Sequence, residues 1–393
     1  MFLSREEEKI LSGEEGETAA KAMEILIAIG RIYGAKNLIP VSSAQIAGVS
    51  YKTIGDAGLQ FLEEFAAKGA RVRIPSYLNP AGMDRENWKR MGIPQEFAEK
   101  QLRILKAYAA MGVSTTCTCA PYHIGIRPKL GEHIAWSESN AISFANSMLG
   151  ARTNRESAIS ALASAITGKT PNFGLHLDEN RKASFVVEVE AKLEKLTDFG
   201  ALGIIVGKIA KERIPAFMGI DKRFATEERM KSLGAAMAAS GSVALYYARG
   251  ITPEWRLMDE PEKLERVTIE RKQIEETKER MQSTDSVELV TIGCPHCSIS
   301  EIKEVAEKVR GKKLKVALWV CTSREIMEEA KKLGYCRLIE EAGGQVVADT
   351  CMVVAPLEEL GYKRTGVNSG KAATYLPSFC GQRIRFADIE ELL

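Results

Sequence analysis

Short apolar runs alternate with longer amphipathic segments along most of the chain. Runs typical of strands cover residues 287–292 and 314–320, and each is followed by a turn and then by apolar residues at helical spacing. The same order occurs near the N-terminus, where residues 37–42 precede a helical pattern over about 52–67. Strands that alternate with helices are typical of α/β proteins, whose loops gather at one edge of a parallel sheet. We therefore predict an α/β fold with largely parallel sheets flanked by helices.

The charge pattern suggests where this fold divides. Between about residues 259 and 282 the sequence is densely charged with both signs, which is typical of a solvated helix with i,i+4 ion pairs. We place a domain boundary at the end of this segment. It separates an N-terminal α/β region, residues 1–280, from a C-terminal α/β domain, residues 281–393. A chain of 393 residues has room for two or three domains, so the N-terminal region can divide further.

Composition narrows the class of protein. The chain is 45% hydrophobic and 27% charged, with a formal net charge of +2, so neither nucleic acid nor a membrane surface is indicated as a partner. No apolar run reaches the roughly 18 residues that a membrane span needs. The N-terminus is too acidic for a signal peptide. These features predict a cytoplasmic globular protein.

The cysteines are the first sign of chemistry. A cytoplasmic chain with eight cysteines is expected to use some of them for metal binding or catalysis rather than for disulfides. Cys119, Cys294 and Cys351 each lie in a short segment marked by Gly, Pro or Thr. We interpret them as three thiolates that converge on one iron–sulfur cluster and leave one iron open. Taken alone, the Cys294-x-x-Cys297 pair also fits half of a zinc site or a redox pair.

Six ordered segments, spread over nearly the whole chain, resemble the aconitase X family and, within it, the large subunits of archaeal phosphomevalonate dehydratases. They are Ala47-Gly-Val-Ser-Tyr51, Leu78-Asn-Pro-Ala-Gly82, Cys119-Ala-Pro-Tyr122, Trp136-Ser-Glu-Ser-Asn140, Gly293-Cys-Pro-His296 and Gly366-Val-Asn-Ser-Gly-Lys371. The resemblance implies an aconitase-like multi-domain architecture with the active site in a cleft between domains.

The resemblance also implies a cofactor and its ligands. In this family three cysteines hold an iron–sulfur cluster, which is [4Fe-4S] in the archaeal form. Matching the motifs one by one gives Cys119, Cys294 and Cys351 as the ligands. Cys117 and Cys297 are then additional thiols beside two of them.

The implied reaction is the dehydration of (R)-5-phosphomevalonate to trans-anhydromevalonate 5-phosphate, in the archaeal modified mevalonate route to isoprenoids. The leaving hydroxyl is on a tertiary carbon β to a carboxylate, where hydroxide is a poor leaving group unless a metal binds it. A base must also remove a proton from the carbon next to the carboxylate.

Two of the matched segments are loops that the resemblance assigns to substrate binding. The first holds Gly48, Val49 and Ser50, which are expected to offer backbone N–H groups and a hydroxyl to an anion ahead of a helix. In the second, Asn79 and Pro80 form a rigid turn with an amide side chain. By pattern alone, both segments also fit ordinary structural turns.

Two further segments add charge to the expected site. Glu138 and Ser139 provide a carboxylate and a hydroxyl for the substrate or for a water molecule. Lys371, next to a glycine, is expected to provide a positive charge for phosphate or carboxylate. His296 adjoins Cys294 and is expected to support the site by a hydrogen bond to sulfur or carboxylate.

The family occurs as a longer fused chain or with a small swivelling domain as a separate subunit. This chain ends at Leu393 without room for that domain, which favours the two-subunit form. The resemblance assigns the catalytic base to a serine of the small domain, so a small-subunit partner is expected to provide it.

Two alternatives stay open at this point. One is a dehydratase of the same family that acts on cis-3-hydroxy-L-proline or another hydroxy acid. The other is a non-catalytic zinc or iron–sulfur binding protein.

Overall fold

The computed structural model describes residues 1–257 and 261–393. Its helices are α1 (Arg5–Leu11), α2 (Glu17–Ile32), α3 (Tyr51–Ala67), α4 (Gln95–Ala110), α5 (Ser139–Phe144), α6 (Ala158–Thr167), α7 (Leu196–Ala210), α8 (Glu227–Gly241), α9 (Arg271–Arg280), α10 (Ile299–Val309), α11 (Arg324–Lys332), α12 (Tyr335–Glu341), α13 (Gly370–Cys380) and α14 (Ile389–Leu392). Its strands are β1 (Leu38–Pro40), β2 (Ala44–Ile46), β3 (Ser76–Leu78), β4 (Ala135–Trp136), β5 (Lys169–Pro171), β6 (Phe185–Val189), β7 (Pro215–Met218), β8 (Tyr247–Ala248), β9 (Arg266–Ile269), β10 (Leu289–Ile292), β11 (Ala317–Thr322), β12 (Gln345–Ala348), β13 (Arg364–Val367) and β14 (Arg383–Phe386).

Three parallel sheets follow one another along the described chain. The first sheet has the order β3-β2-β4, the middle sheet β8-β7-β6-β9 and the last sheet β12-β11-β10-β13-β14. Every strand pair within them is parallel, whereas β1 and β5 form a separate antiparallel pair. Helices cover the sheets, so the predicted α/β fold with largely parallel sheets is confirmed.

The charged segment predicted as one helix over 259–282 differs from the structure. Its first two residues lie outside the described part of the chain. The rest includes strand β9, which pairs with β6 at the edge of the middle sheet, before helix α9 begins at Arg271. Most side chains of β9 are at least partly exposed, so the strand has no apolar run that would reveal it. Pairing with β6, rather than burial of its own side chains, determines its conformation.

Helices α7 and α8 approach closely because glycines lie at their contact. A Cβ atom on Gly203 would lie 2.6 Å from the Cβ of Ala236 and 2.6 Å from the carbonyl oxygen of Leu233. A Cβ on Gly207 would lie 2.1 Å from the hydroxyl of Ser240. The absence of side chains at Gly203 and Gly207 therefore allows α8 to pack closely against α7.

A buried ion-pair network joins the first and last sheets. The guanidinium of Arg324, in α11, donates to Asp84 at 2.6 Å and also to Asp349. Asp84 belongs to the loop after β3, whereas Asp349 directly follows β12, and both carboxylates are buried. Such a pair is costly to break, because removing one partner leaves a buried charge uncompensated. Arg324 thus holds two loops together that belong to different parts of the chain.

The remaining sequence expectations concern membranes and domains. Among the described helices, none is long and apolar enough to cross a membrane. The boundary at residues 280 and 281 stays a prediction, and it falls between the end of α9 and the start of β10.

The contact between α7 and α8 gives a stability prediction. Gly203→Ala should raise helix propensity by about 1 kcal/mol, yet the new Cβ overlaps Leu233 and Ala236. We expect a net loss of about 1–3 kcal/mol in the free energy of unfolding. The exposed Lys208 on the same helix provides the control, since Lys208→Ala should change little. Chemical denaturation of the three proteins measures the difference, and a Gly203→Ala protein more stable than wild type would contradict the prediction.

Candidate active site at the meeting of two sheets

A cavity of about 410 Å³ lies where strands of the first and last sheets end. Its lining segments directly follow β2, β3 and β4 in the first sheet. In the last sheet Cys294, Cys351 and Lys371 lie two, three and four residues beyond β10, β12 and β13. In the last sheet the chain order reverses at β10, which is where α/β sheets form a crevice at their carboxyl ends. The cavity is lined by Ala47, Gly48, Val49, Ser50, Thr53, Ile54, Asn79, Pro80, Cys119, Ser137, Glu138, Ser139, Cys294, Cys351, Val353, Val354, Lys371, Tyr375 and Phe379.

All residues expected to bind metal or substrate therefore line one cavity. Cys294 follows β10 and Cys351 follows β12. Cys119 lies in a loop that is held against the end of β3, because the Thr118 N–H donates to the carbonyl oxygen of Leu78. The three thiols are far apart in sequence, and sheet topology brings them together.

The two neighbouring thiols have a different environment. Cys117 and Cys297 are buried in two separate apolar clusters, and neither is among the described residues that line the cavity. Gly293 packs closely against Cys297 and Cys321, since a Cβ at this position would lie 3.1 Å from the Cys297 sulfur and 2.2 Å from the Cys321 carbonyl oxygen. Gly293 also has a φ of +104°, so glycine is required at the turn that presents Cys294.

His296 connects all three cysteine segments. Its backbone N–H donates to the Cys119 sulfur at 3.2 Å. Its Nε2 lies 2.9 Å from the Thr350 carbonyl oxygen, and its Nδ1 lies 3.0 Å from the Thr118 hydroxyl. His296 itself is two residues from Cys294. One buried side chain therefore fixes the spacing of the segments that carry the three cavity thiols.

The protonation state of His296 follows from these partners. Burial lowers the pKa of His296 to about 4, so the ring is neutral near pH 7. A carbonyl oxygen only accepts, so Nε2 carries the proton and Nδ1 accepts from Thr118. The Thr118 oxygen in turn accepts from the Ala120 N–H at 3.1 Å, which is consistent with its hydroxyl donating to the ring. The sequence prediction that His296 bonds to sulfur holds for its backbone, while its ring has a different role.

The cavity thiols are candidate ligands for a metal group. Burial raises the pKa values of Cys119, Cys294 and Cys351 to about 12, so they are protonated until a metal replaces the protons. Within the described part of the chain, no three His, Cys, Asp or Glu side chains are grouped tightly enough for a single metal ion. In an iron–sulfur cluster the thiolates bind different iron atoms, so they need not meet at one point.

A buried ion pair also lines the cavity. The Lys371 ammonium contacts a carboxylate oxygen of Glu138, and it lies 3.3 Å from the Ser139 hydroxyl. The two side chains are 8% and 12% exposed. Burial alone raises the pKa of Glu138, but the Lys371 charge lowers it below its usual value, and Glu138 likewise raises the pKa of Lys371. Both groups are therefore charged.

Asn79 extends this pair towards the cavity. Its amide nitrogen donates to the second carboxylate oxygen of Glu138 at 2.8 Å. Its amide oxygen is buried and has no hydrogen-bond partner among the described residues. A buried acceptor without a partner costs free energy, and a hydroxyl or ammonium group of a ligand would satisfy it.

The Gly48–Ser50 turn offers backbone donors as expected, but the hydroxyl of Ser50 is already hydrogen-bonded within the protein. The N–H groups of Gly48, Val49 and Ser50 donate to no acceptor among the residues described by the structure. The Ser50 hydroxyl donates instead to the Val354 carbonyl oxygen at 2.8 Å, and it does not cap α3. Ser50 thus fastens this turn to the segment after Cys351, and the anion-binding potential of the turn lies in its backbone.

The remaining lining is mostly apolar, apart from Thr53 and Ser137. Tyr375 and Phe379 lie one turn apart on α13 with their ring centroids 5.3 Å apart, and Phe379 is 60% exposed. Val353 and Val354 lie on the same cavity. The cavity therefore combines a thiol-rich wall, one buried ion pair and an apolar exposed rim.

Comparison with known proteins identifies the family. Models of the aconitase X first, second and third domains match residues 1–179, 183–279 and 287–393. The chain belongs to the aconitase X family. Its predicted membership is thus confirmed. The chain is also similar to a solved holo-form aconitase X of Thermococcus kodakaraensis, with a TM-score of 0.93 and 48% identity over 100% of this chain and 99% of that one.

Its relatives differ in their substrates. The phosphomevalonate dehydratase large subunit of Methanocaldococcus jannaschii is 53% identical over 100% of this chain and 99% of its own length. The cis-3-hydroxy-L-proline dehydratase of Pseudomonas aeruginosa is 35% identical over 98% of this chain, which covers 68% of that protein. Similarity is therefore greater to this phosphomevalonate dehydratase large subunit than to this cis-3-hydroxy-L-proline dehydratase.

Sequence reasoning missed three residues around the site. Thr118 and Thr350 are buried, and each directly precedes a cavity cysteine. That position next to an expected ligand was the feature of the sequence that could have identified them. Lys231 lies within the continuously buried run Met230–Ala238 of α8. A single lysine in an otherwise uncharged stretch of helix is a signal that the sequence contained.

The Glu138–Lys371 pair gives the second prediction. Lys371→Met should cost about 3–5 kcal/mol in the free energy of unfolding, because it leaves the Glu138 carboxylate buried and uncompensated. The double variant Lys371→Met/Glu138→Gln should recover most of that loss, since both charges are removed together. Chemical denaturation of the metal-free proteins measures both values. A double variant as unstable as the single one would show that the pair does not determine the effect.

Proposed function

We propose that this chain is the large subunit of an iron–sulfur hydro-lyase that dehydrates (R)-5-phosphomevalonate to trans-anhydromevalonate 5-phosphate. The observation that carries the proposal is that one cavity is lined by three thiols, a buried ion pair and a turn whose backbone N–H groups have no acceptor among the described residues. The relatives named as phosphomevalonate dehydratase large subunits support the choice of substrate. The cis-3-hydroxy-L-proline dehydratases are 33% and 35% identical, so the alternative substrate has less support.

The thiols of Cys119, Cys294 and Cys351 fit the proposed [4Fe-4S] cluster. Three thiolates leave one iron of such a cluster without a protein ligand, and when bound the cluster supplies a Lewis acid for the leaving hydroxyl. The N–H of His296 already donates to the Cys119 sulfur, which stabilises negative charge there. This part of the lining therefore provides ligands and hydrogen bonds that match a cluster.

Other lining residues suit a substrate with two acidic groups. The backbone N–H groups of Gly48 and Val49 are free to bind phosphate or carboxylate oxygens, ahead of the first turn of α3, which is broken from the rest of the helix at Gly55. Lys371 adds a positive charge, and its ion pair with Glu138 holds the lysine side chain in place. The unpaired amide oxygen of Asn79 accepts a hydrogen bond from a substrate hydroxyl. Together these groups orient a phosphorylated hydroxy acid in the cavity.

The base of the reaction is assigned to a partner. Among the described lining residues, Glu138 is the sole carboxylate, and its ion pair with Lys371 lowers its pKa. A carboxylate with a lowered pKa is a poor proton acceptor at neutral pH. The exposed Phe379 and the partly buried Tyr375 at the rim suit contact with another polypeptide. A small subunit that covers this rim would bring the base and exclude water.

The ligand assignment is tested by iron content. Cys119→Ala, Cys294→Ala and Cys351→Ala should each lose the bound iron and sulfide of anaerobically purified protein, because each removes a thiolate of the cavity. Cys117→Ala and Cys297→Ala are matched controls, buried thiols outside the cavity, and should keep the iron. Loss of iron in Cys297→Ala with retention in Cys294→Ala would overturn the assignment. Stoichiometric zinc without iron in the wild type would favour a zinc-binding protein.

The substrate is tested with the assembled enzyme. The chain is co-expressed with its small subunit, and dehydration of 5-phosphomevalonate and of cis-3-hydroxy-L-proline is measured under anaerobic conditions. We expect activity on 5-phosphomevalonate and none for the chain without its partner. The double variant Lys371→Met/Glu138→Gln should be folded and inactive. Activity on cis-3-hydroxy-L-proline alone would replace the proposed substrate by the second candidate.

A further inference from the structure

Lys231 is a buried lysine that contacts the site from behind. It lies on α8 and is 2% exposed. Its ammonium group lies 3.0 Å from the His296 carbonyl oxygen, 2.5 Å from a carboxylate oxygen of Glu301 and 3.4 Å from Nε2 of His123. An ammonium group has three N–H donors, so these contacts account for all of them.

Two of the three partners belong to the segments that carry cavity thiols. His123 lies in the 3₁₀ turn Pro121–Ile124, which begins two residues after Cys119. His296 lies two residues after Cys294, and its own N–H donates to the Cys119 sulfur. Burial and the Lys231 charge lower the pKa of His123 to about 2, so its ring is neutral and Nε2 is free to accept. Lys231 therefore joins the two loops from outside the cavity.

The third partner keeps the lysine charged. Burial alone lowers the pKa of Lys231, but the Glu301 carboxylate raises it above its usual value. Glu301 also accepts from the Ser298 N–H at 2.8 Å, at the start of α10. The ion pair is thus part of the turn that follows the Cys294 segment.

The position of Lys231 in the chain is informative. None of the described residues that line the cavity belongs to 183–279, the part that matches the second aconitase X domain. Helix α8, in this part, is held at a fixed distance from α7 by the glycine contact at Gly203. Lys231 is therefore a direct connection from the second domain to the two thiol loops.

We propose that Lys231 is a positioning residue of the metal site. It holds the loops of Cys119 and Cys294 at the spacing that the metal group requires, and through it the second domain controls how firmly that group is retained. The inference rests on the proposed cluster ligands, and it goes beyond them because Lys231 touches neither sulfur nor substrate. Partners outside the ligand shell of a metal site typically change metal affinity by about 10–100-fold when they are removed.

The test compares three variants of the full chain, each co-purified with the small subunit under anaerobic conditions. Lys231→Met removes the donors but leaves Glu301 unpaired. Lys231→Met/Glu301→Gln removes both charges, so that the fold is less perturbed. Lys278→Met is the matched control, because Lys278 is a mostly buried lysine of the same domain that pairs with Asp198 at 2.5 Å, away from the cavity.

Two readouts separate positioning from general stability. The first is the rate of iron release to a chelator, which we expect to increase by about tenfold or more in both Lys231 variants and to stay unchanged in Lys278→Met. The second is the alkylation rate of individual thiols in metal-free protein, followed by mass spectrometry. Cys119 and Cys294 should react faster in the Lys231 variants, whereas Cys336, in α12, serves as the reference thiol and should not change.

The outcomes decide the proposal. Unchanged iron release and unchanged alkylation in the double variant would make Lys231 a stabilising ion pair only, and the proposal would be wrong. Equal acceleration for Cys336 would indicate general loosening of the fold and would also overturn it. If the wild-type protein binds no iron, the cluster proposal fails separately, and the alkylation rates still decide whether Lys231 positions the two loops.

Discussion

The hydrogen bonds of His296 are the constraint on which the site depends. Its backbone N–H, its two ring nitrogens and its carbonyl oxygen each have a different partner, and these partners come from three distant parts of the chain. A neutral imidazole with one donor and one acceptor can satisfy Thr350 and Thr118 in only one orientation. The three cysteine segments are therefore fixed relative to each other before any metal binds. Such an arrangement reduces the ordering that metal binding must supply.

The position of the cavity follows from the topology of the sheets. Loops at the carboxyl ends of parallel strands lie at one edge, and here the edges of the first and last sheets face each other. Arg324 fixes this relation, because its guanidinium contacts Asp84 from one sheet's loop and Asp349 from the other's. The middle sheet acts from outside through α8. The residues that form the cavity thus come from two sheets, while a third part of the chain supports them.

The sequence predicted the fold class and the composition of the cavity better than it predicted the contacts. Regular alternation of strands and helices shows in local periodicity. The residues Cys119, Cys294 and Lys371 could be named in advance because the segments that hold them resemble motifs of the aconitase X family. Local patterns cannot show which side chains are already bonded. Ser50 was expected to offer its hydroxyl to a ligand, and the fold uses that hydroxyl to bind Val354. The ion pair of Lys371 with Glu138 joins residues 233 positions apart, which no periodicity reveals.

Three of the buried ion pairs among the described residues hold loops or side chains of the cavity. Lys371 with Glu138, Lys231 with Glu301 and Arg324 with Asp84 each remove two charges from water. Apolar residues of similar volume would be about as stable, because desolvation offsets most of the attraction between buried charges. A gain in stability therefore does not explain why charged residues occupy these positions. What the three pairs share is that each one orients a loop or a side chain of the cavity. Stability measurements and measurements of metal retention should accordingly respond differently to the loss of these pairs, and that difference distinguishes groups that orient the site from groups that only hold the fold together.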